Sequence, residues 1–177
     1  MADNRGTPTG MDSVDTSKEL GRIATQIIPH LLNLYNCTST AADYEIYAPN
    51  ATFEDPLMRA HGVSQIKSAF YSIPKVFSEA EIVEYTVELE EDKTPSSGEI
   101  RLDTQQHYKF LSKTIDMSSV IKLRVEGGKI VRHEDLWEGN PLWNRHTVRV
   151  PLVGQAVEAW RRGNMLITNT LMCFGKD

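Results

Sequence analysis

Cysteine is scarce in this chain, and so are long apolar runs and clustered positive charge. The two cysteines, Cys37 and Cys173, lie near opposite ends with no metal-ligand spacing, so they read as structural thiols in a reducing compartment. No apolar run approaches the length needed to span a bilayer. The net charge is −5 and no basic stripe crosses the chain, which argues against nucleic acid as a partner. Neither a secretory nor an Arg-rich transit pattern occurs in residues 1–18, which are polar and rich in Gly, Thr, Asp and Ser. They read as a disordered, cytosolic lead-in. What remains is globular: 177 residues, 40% hydrophobic and 24% charged, enough for one core without staples.

The informative stretch is Ala48-Pro-Asn-Ala-Thr-Phe-Glu-Asp-Pro-Leu-Met58. In an extended segment Ala51, Phe53 and Asp55 point one way and Thr52 and Glu54 the other, so a carboxylate shares the face of an aromatic ring. Burial raises a carboxyl pKa and suits a group that moves protons. Pro56 cannot donate to a sheet ladder, so the strand should stop there and leave Asp55 at its rim.

Elsewhere the periodicity divides the chain into helices followed by strands. Leu20, Ile23, Ala24, Ile27, Ile28, Leu31, Leu32 and Tyr35 recur at helical spacing over 19–36, interrupted by Pro29, which predicts one kinked helix or two short ones. Thr38 to Asp43 offers caps for a second helix reaching Tyr47, and Gly62 to Phe77 reads as a third, with Val63, Ile66, Ala69, Phe70 and Ile73 on one side. The period then becomes two. Over 82–89 Val83, Tyr85, Val87 and Leu89 share a face, and over 99–110 Ile100, Leu102, Thr104, Gln106, Tyr108 and Phe110 do so against Arg101, Asp103, His107 and Lys109. Two further strands, 117–125 and 129–137, flank the hairpin glycines of Glu126-Gly-Gly128. In the last of them Val131, His133, Asp135 and Trp137 share a face, which groups titratable and aromatic residues as a ligand pocket does. The expected class is α+β, with helices on one face of a curved sheet.

Ala51-Thr-Phe-Glu-Asp-Pro56, the following helix with Gly62 and the late Gly-Gly-Lys-Ile-Val131 hairpin resemble the nuclear transport factor 2-like superfamily. Its members include ketosteroid isomerases and SnoaL-like polyketide cyclases, and the similarity is greatest to plant-type members. The resemblance covers 20–137. It implies a cone-shaped α+β barrel over 19–138, with N-terminal helices packed on a mixed, mostly antiparallel sheet. It also implies a hydrophobic ligand, no cofactor and no metal, and a homodimer through the open sheet face. Asp55 falls where ketosteroid isomerases keep their general base. Those enzymes hold the enolate with a tyrosine and a protonated aspartic acid, and here Leu31 and Ile121 occupy the corresponding places. Tyr35, one helical turn from Leu31, is the substitute the sequence offers. His133 and Asp135 resemble the polar last-strand residues of the cyclases. The candidate catalytic residues are thus Asp55, His133 and Asp135, and the candidate ligand-binding residues Tyr35, Phe53, Tyr85, Tyr108 and Trp137.

Residues 139–177 extend beyond that core. Pro141 to Val150 carries Trp143, Arg145, His146 and Arg149 without a clear period. Leu152, Val153, Ala156, Val157, Trp160, Ile167, Leu171 and Phe174 then form one helical stripe opposite Gln155, Glu158, Arg161, Arg162 and Asn169. That stripe should cover the domain, a partner or a membrane surface through 152–174. Three functions are compatible with this sequence. The first is an accessory binder of a terpenoid, steroid or polyketide intermediate, docked on a membrane-bound oxidase at the cytosolic face of the endoplasmic reticulum. The second is an isomerase or cyclase with Asp55 as base. The third is a transport adaptor, as for the superfamily's namesake, although no residue identifies a guanine-nucleotide-binding partner.

Overall fold

A computed structural model describes residues 16–94, 96–142 and 153–177. Helix α1 (Thr16–Tyr35) is followed by a 3-10 turn (Ala41–Ile46), strand β1 (Tyr47–Glu54), the short strand β2 (Arg59–His61) and helix α2 (Val63–Val76). Four long strands come next, β3 (Glu79–Glu91), β4 (Gly98–Phe110), β5 (Lys113–Glu126) and β6 (Lys129–Trp137), and helix α3 (Val153–Leu171) closes the order. The lead-in expected over 1–18 lies, up to residue 15, outside the described residues. So do Trp143, Arg145, His146 and Arg149.

One six-stranded sheet runs in the order β2-β1-β6-β5-β4-β3, antiparallel throughout except where β1 pairs with β6. The sheet curves around α1 and α2 without closing, so the cone is open along two edges rather than a complete barrel. Inside it α1 buries Leu20, Ile23, Ala24, Ile27, Leu31, Leu34 and Tyr35. Pro29 does not split this helix, because it sits on the exposed side, where its missing donor leaves no buried group unpaired. The tight turn between β5 and β6 requires positive φ at Gly127 (+56°) and Gly128 (+77°), as the sequence predicts.

Two expectations fail at the margins of the sheet. Val83, Tyr85, Val87 and Leu89 do not form core. They are 65%, 41%, 38% and 41% exposed, because β3 is an edge strand beyond which no further strand lies among the described residues. In β6 a bulge near Ile130 turns both Ile130 and His133 inward and leaves Val131 half-buried.

The tail helix departs further from expectation. α3 packs on α2 and β2, but its polar side faces inward: Glu158, Arg161 and Asn169 are buried beside Met165. Trp160, Ile167, Leu171 and Phe174 are exposed. The reason lies in the surface beneath, where Glu54, Arg59 and Ser68 present charge and hydroxyl rather than apolar area. Arg161 Nη2 donates to Glu54 Oε2 at 3.3 Å, and Ser68 Oγ donates to Asn169 Oδ1 at 2.7 Å. Glu54, placed by alternation on the face opposite Asp55, is buried by this contact. The end of the chain folds onto α2, with Lys67 Nζ on Asp177 Oδ2 at 2.6 Å and Tyr71 Oη donating to Asp177 Oδ1 at 2.5 Å.

Candidate active site

A cavity of about 360 Å³ opens between α1, α2 and the interior face of the sheet. Phe53, Phe70, Phe77, Met117, Ile115 and Ile73 give it an apolar wall, and Tyr35, Asp55, Tyr108, Asp135 and Trp137 bring the polar atoms. Asp55 stands one residue beyond β1, as Pro56 demands. Its Oδ1 accepts backbone N–H bonds from Leu57 (2.7 Å) and Met58 (2.5 Å), which lock the carboxyl in a tight turn at the rim. Burial pushes its pKa up to about 7, the charge of Asp135 adds to the rise, and the two backbone donors and Arg161 oppose it.

Asp135 lies on β6 directly opposite Ile121 of β5. Its Oδ2 accepts from Tyr35 Oη at 3.0 Å and its Oδ1 from Ser119 Oγ. Burial raises its pKa while the side chains of Ser119, Tyr35, Trp137 and Gln106 favour the anion. Two carboxyls thus share one apolar cavity in contrasting surroundings. Asp135 is surrounded by side-chain donors, while Asp55 has two backbone donors on one oxygen. The donors around Asp135 counter the effect of burial there, whereas burial carries Asp55 into the range where a carboxyl exchanges a proton near neutral pH.

His133 does not line the cavity. It is fully buried one layer behind, ringed by Tyr35, Tyr47, Phe53 and Phe70. Burial drives its pKa down to about 3, so the imidazole is neutral at physiological pH. Tyr47 Oη lies 2.8 Å from Nδ1 and Tyr35 Oη 3.1 Å from Nε2. Because the Tyr35 proton goes to Asp135, one assignment satisfies every group: Tyr47 donates to Nδ1, Nε2–H donates to the Tyr35 oxygen, and Tyr35 donates to Asp135. His133 therefore orients Tyr35 rather than reaching a ligand.

Of the residues singled out in the sequence, Tyr35, Phe53, Asp55, Tyr108, Asp135 and Trp137 meet in the cavity. Tyr85 does not. It lies on the exposed edge strand and lines a shallow surface cleft with Glu84 and Asp103. Sequence reasoning missed Tyr47, Gln106 and Ser119, which complete the polar network. The available signal was polar residues in the inward phase of β4, where Thr104 and Gln106 continue the face begun by Ile100 and Leu102. Leu31 and Ile121, the residues expected at the isomerases' tyrosine and acid positions, are both fully buried in the core. The Tyr35–Asp135 pair stands one helical turn and one strand away from them.

A nuclear transport factor 2-like protein from Anabaena variabilis is similar over 72% of this chain and 95% of its own, at 16% identity and a TM-score of 0.58. A candidate polyketide cyclase from Xanthomonas campestris matches 66% of this chain and 90% of its own, at 12% identity and a TM-score of 0.52. TerC, co-crystallised with polyporic acid, matches 64% of this chain and 92% of its own, at 16% identity and a TM-score of 0.51. No family model and no curated protein matches the sequence. The chain thus has the nuclear transport factor 2-like fold.

Proposed function

We propose that this protein is an acid–base enzyme, an isomerase or cyclase acting on a hydrophobic cyclic ketone held in the cone. The observation that carries the reading is Asp55: a carboxyl at the rim of an apolar cavity, with a pKa raised to about 7 and one oxygen, Oδ1, fixed by two backbone donors. The ionised carboxylate takes a proton from a carbon next to the substrate carbonyl, leaving an enolate and a neutral Asp55. It then returns that proton at another carbon or as a ring closes. Tyr108, whose Oη donates to Gln106 Oε1, is the hydroxyl placed to turn its proton toward the developing oxygen anion, while Asp135 and His133 hold the Tyr35 proton within their own network. The similar folds of a candidate polyketide cyclase and of TerC with a bound small molecule support a ligand of this class. The test is exchange of the α-protons of 1-tetralone in D2O, followed by NMR. The wild type should exceed Asp55→Asn by ~100-fold or more, in the usual range for a general base. Equal rates would remove Asp55 from the chemistry.

A second reading is favoured by α3, whose residues Trp160, Ile167, Leu171 and Phe174 stay exposed on a folded helix. In it the cone binds a terpenoid, steroid or polyketide intermediate and α3 docks the protein on a membrane-bound oxidase. Truncation before Val153 then abolishes the association with the oxidase, while Asp55→Asn leaves product formation intact. Among the described residues no helix is long and apolar enough to cross a membrane.

A further inference from the structure

The turn that holds Asp55 is itself held from behind by α3. Asp55 N–H donates to Met58 O at 3.1 Å, and the N–H groups of Leu57 and Met58 donate back to Asp55 Oδ1 at 2.7 and 2.5 Å. Two carbonyls of the same turn accept from α3. Asn164 Nδ2 donates to Leu57 O at 3.2 Å, and Arg161 Nη2 donates to Met58 O at 3.1 Å. The buried Arg161 side chain is anchored in turn on Glu54 Oε2 at 3.3 Å.

Leu57 C=O and Met58 N–H belong to one planar peptide group. Its oxygen is bound by Asn164, and its N–H binds the carboxyl that exchanges the proton. Rotation of that plane would break both bonds together, so a donor on the oxygen keeps the N–H on Asp55. The same donor polarises the peptide and strengthens its N–H. Charged and titratable groups also reach Asp55 from several elements: Tyr35 of α1, Tyr108 of β4, Asp135 of β6 and Arg161 of α3. Arg59 of β2 faces Glu54 and Glu158, while α2 and β5 bring only uncharged residues to the cavity. Asn164 differs from all of these, because it acts on Asp55 without carrying charge.

We propose that Asn164 is a positioning residue for Asp55, holding the Leu57–Met58 peptide on the carboxyl while Arg161 anchors the same turn. α3 thereby becomes part of the proton-transfer apparatus. Its kinetic consequence rests on the reading of Asp55 as the base, whereas its effect on the carboxyl does not.

The test compares the full chain with Asn164→Ala and Asn164→Leu. Asn164 is half-buried, alanine suits a helix and leucine retains most of the volume, so both variants should fold. Each loses the donor without changing the charge. The Asp55 midpoint, read by 13C NMR, should rise by about half a pH unit in both, because the Met58 N–H bond it weakens favours the anion. In the exchange of 1-tetralone α-protons, kcat should fall about 10-fold with KM within about twofold. The low-pH limb of the rate should move up with the midpoint. An unmoved midpoint, or a change in alanine that leucine restores, would overturn the proposal. So would an unchanged kcat or a rise in KM alone, given an exchange that Asp55→Asn abolishes. Failure of the base reading looks different: Asp55→Asn then exchanges as fast as wild type, and the midpoint in the Asn164 variants still decides whether the peptide is held.

Discussion

Replacing His133 with glutamine should change how stability depends on acid more than it changes stability itself. The imidazole is fully buried and its pKa falls from 6.5 to about 3 through desolvation. In the unfolded chain the same ring binds a proton below about 6.5. Between these two values the unfolded state holds more protons than the folded one, so stability rises with pH across the window and is lost as pH falls through it. At 1.36 kcal/mol per pKa unit the loss from this one residue reaches about 5 kcal/mol by pH 3. Glutamine retains a donor and an acceptor for Tyr35 and Tyr47 but cannot titrate. At pH 8 the variant should be about 1–2 kcal/mol less stable, since a hydrogen bond with weaker geometry replaces a good one. By pH 4 it should be the more stable protein. Urea denaturation at pH 4, 5, 6 and 8, followed by tryptophan fluorescence, gives the two curves. If they run parallel across this range, His133 is not held neutral by the fold and the assigned direction of the Tyr35 proton loses its basis.

The Asp55 carboxyl acts with the opposite sign. Its pKa is raised from 3.8 to about 7, so the folded state holds the extra proton and stability falls as pH rises between those values. Asp55→Asn, which keeps an acceptor for Leu57 and Met58, should stabilise the protein by up to about 4 kcal/mol above pH 7 and by little at pH 4, as read by the same denaturation series. Gly98→Ala should destabilise by about 2 kcal/mol or more, because the added Cβ would stand 2.5 Å from Glu90 O and 2.7 Å from Leu20 Cδ2. A thermal melt unchanged by that substitution would show that β3 can move away. Ser119→Ala removes a donor from the buried Asp135 carboxyl and should cost about 1.5–3 kcal/mol at pH 8, checked by the same melt.

Much of the candidate site was legible because it rests on local rules. The alternation of β1 and the proline after it placed Asp55 at the rim of the interior face, and the period of β6 placed His133 with Asp135. What the sequence withheld was set by contacts between distant segments. Tyr35 and Asp135 are 100 residues apart and meet only once α1 lies across β6, so no spacing announces their bond. The apolar alternation in β3 reports a pleat, not its covering, and the edge position leaves Tyr85 outside. The tail shows the same limit in a helix. Amphipathicity identifies an apolar face of α3 but not which face is packed, and Glu54 and Ser68 decide that by drawing Arg161 and Asn169 inward.

Proton transfer in the cavity depends most on the protonation of Asp55. Its carboxyl carbon can be followed by 13C NMR from pH 3 to 9, with Asp55→Asn to assign the signal. A midpoint near 7 is the value the buried cavity and the Asp135 charge require. A midpoint near 4, the value of an exposed aspartate, would contradict the proton-transfer reading at its origin.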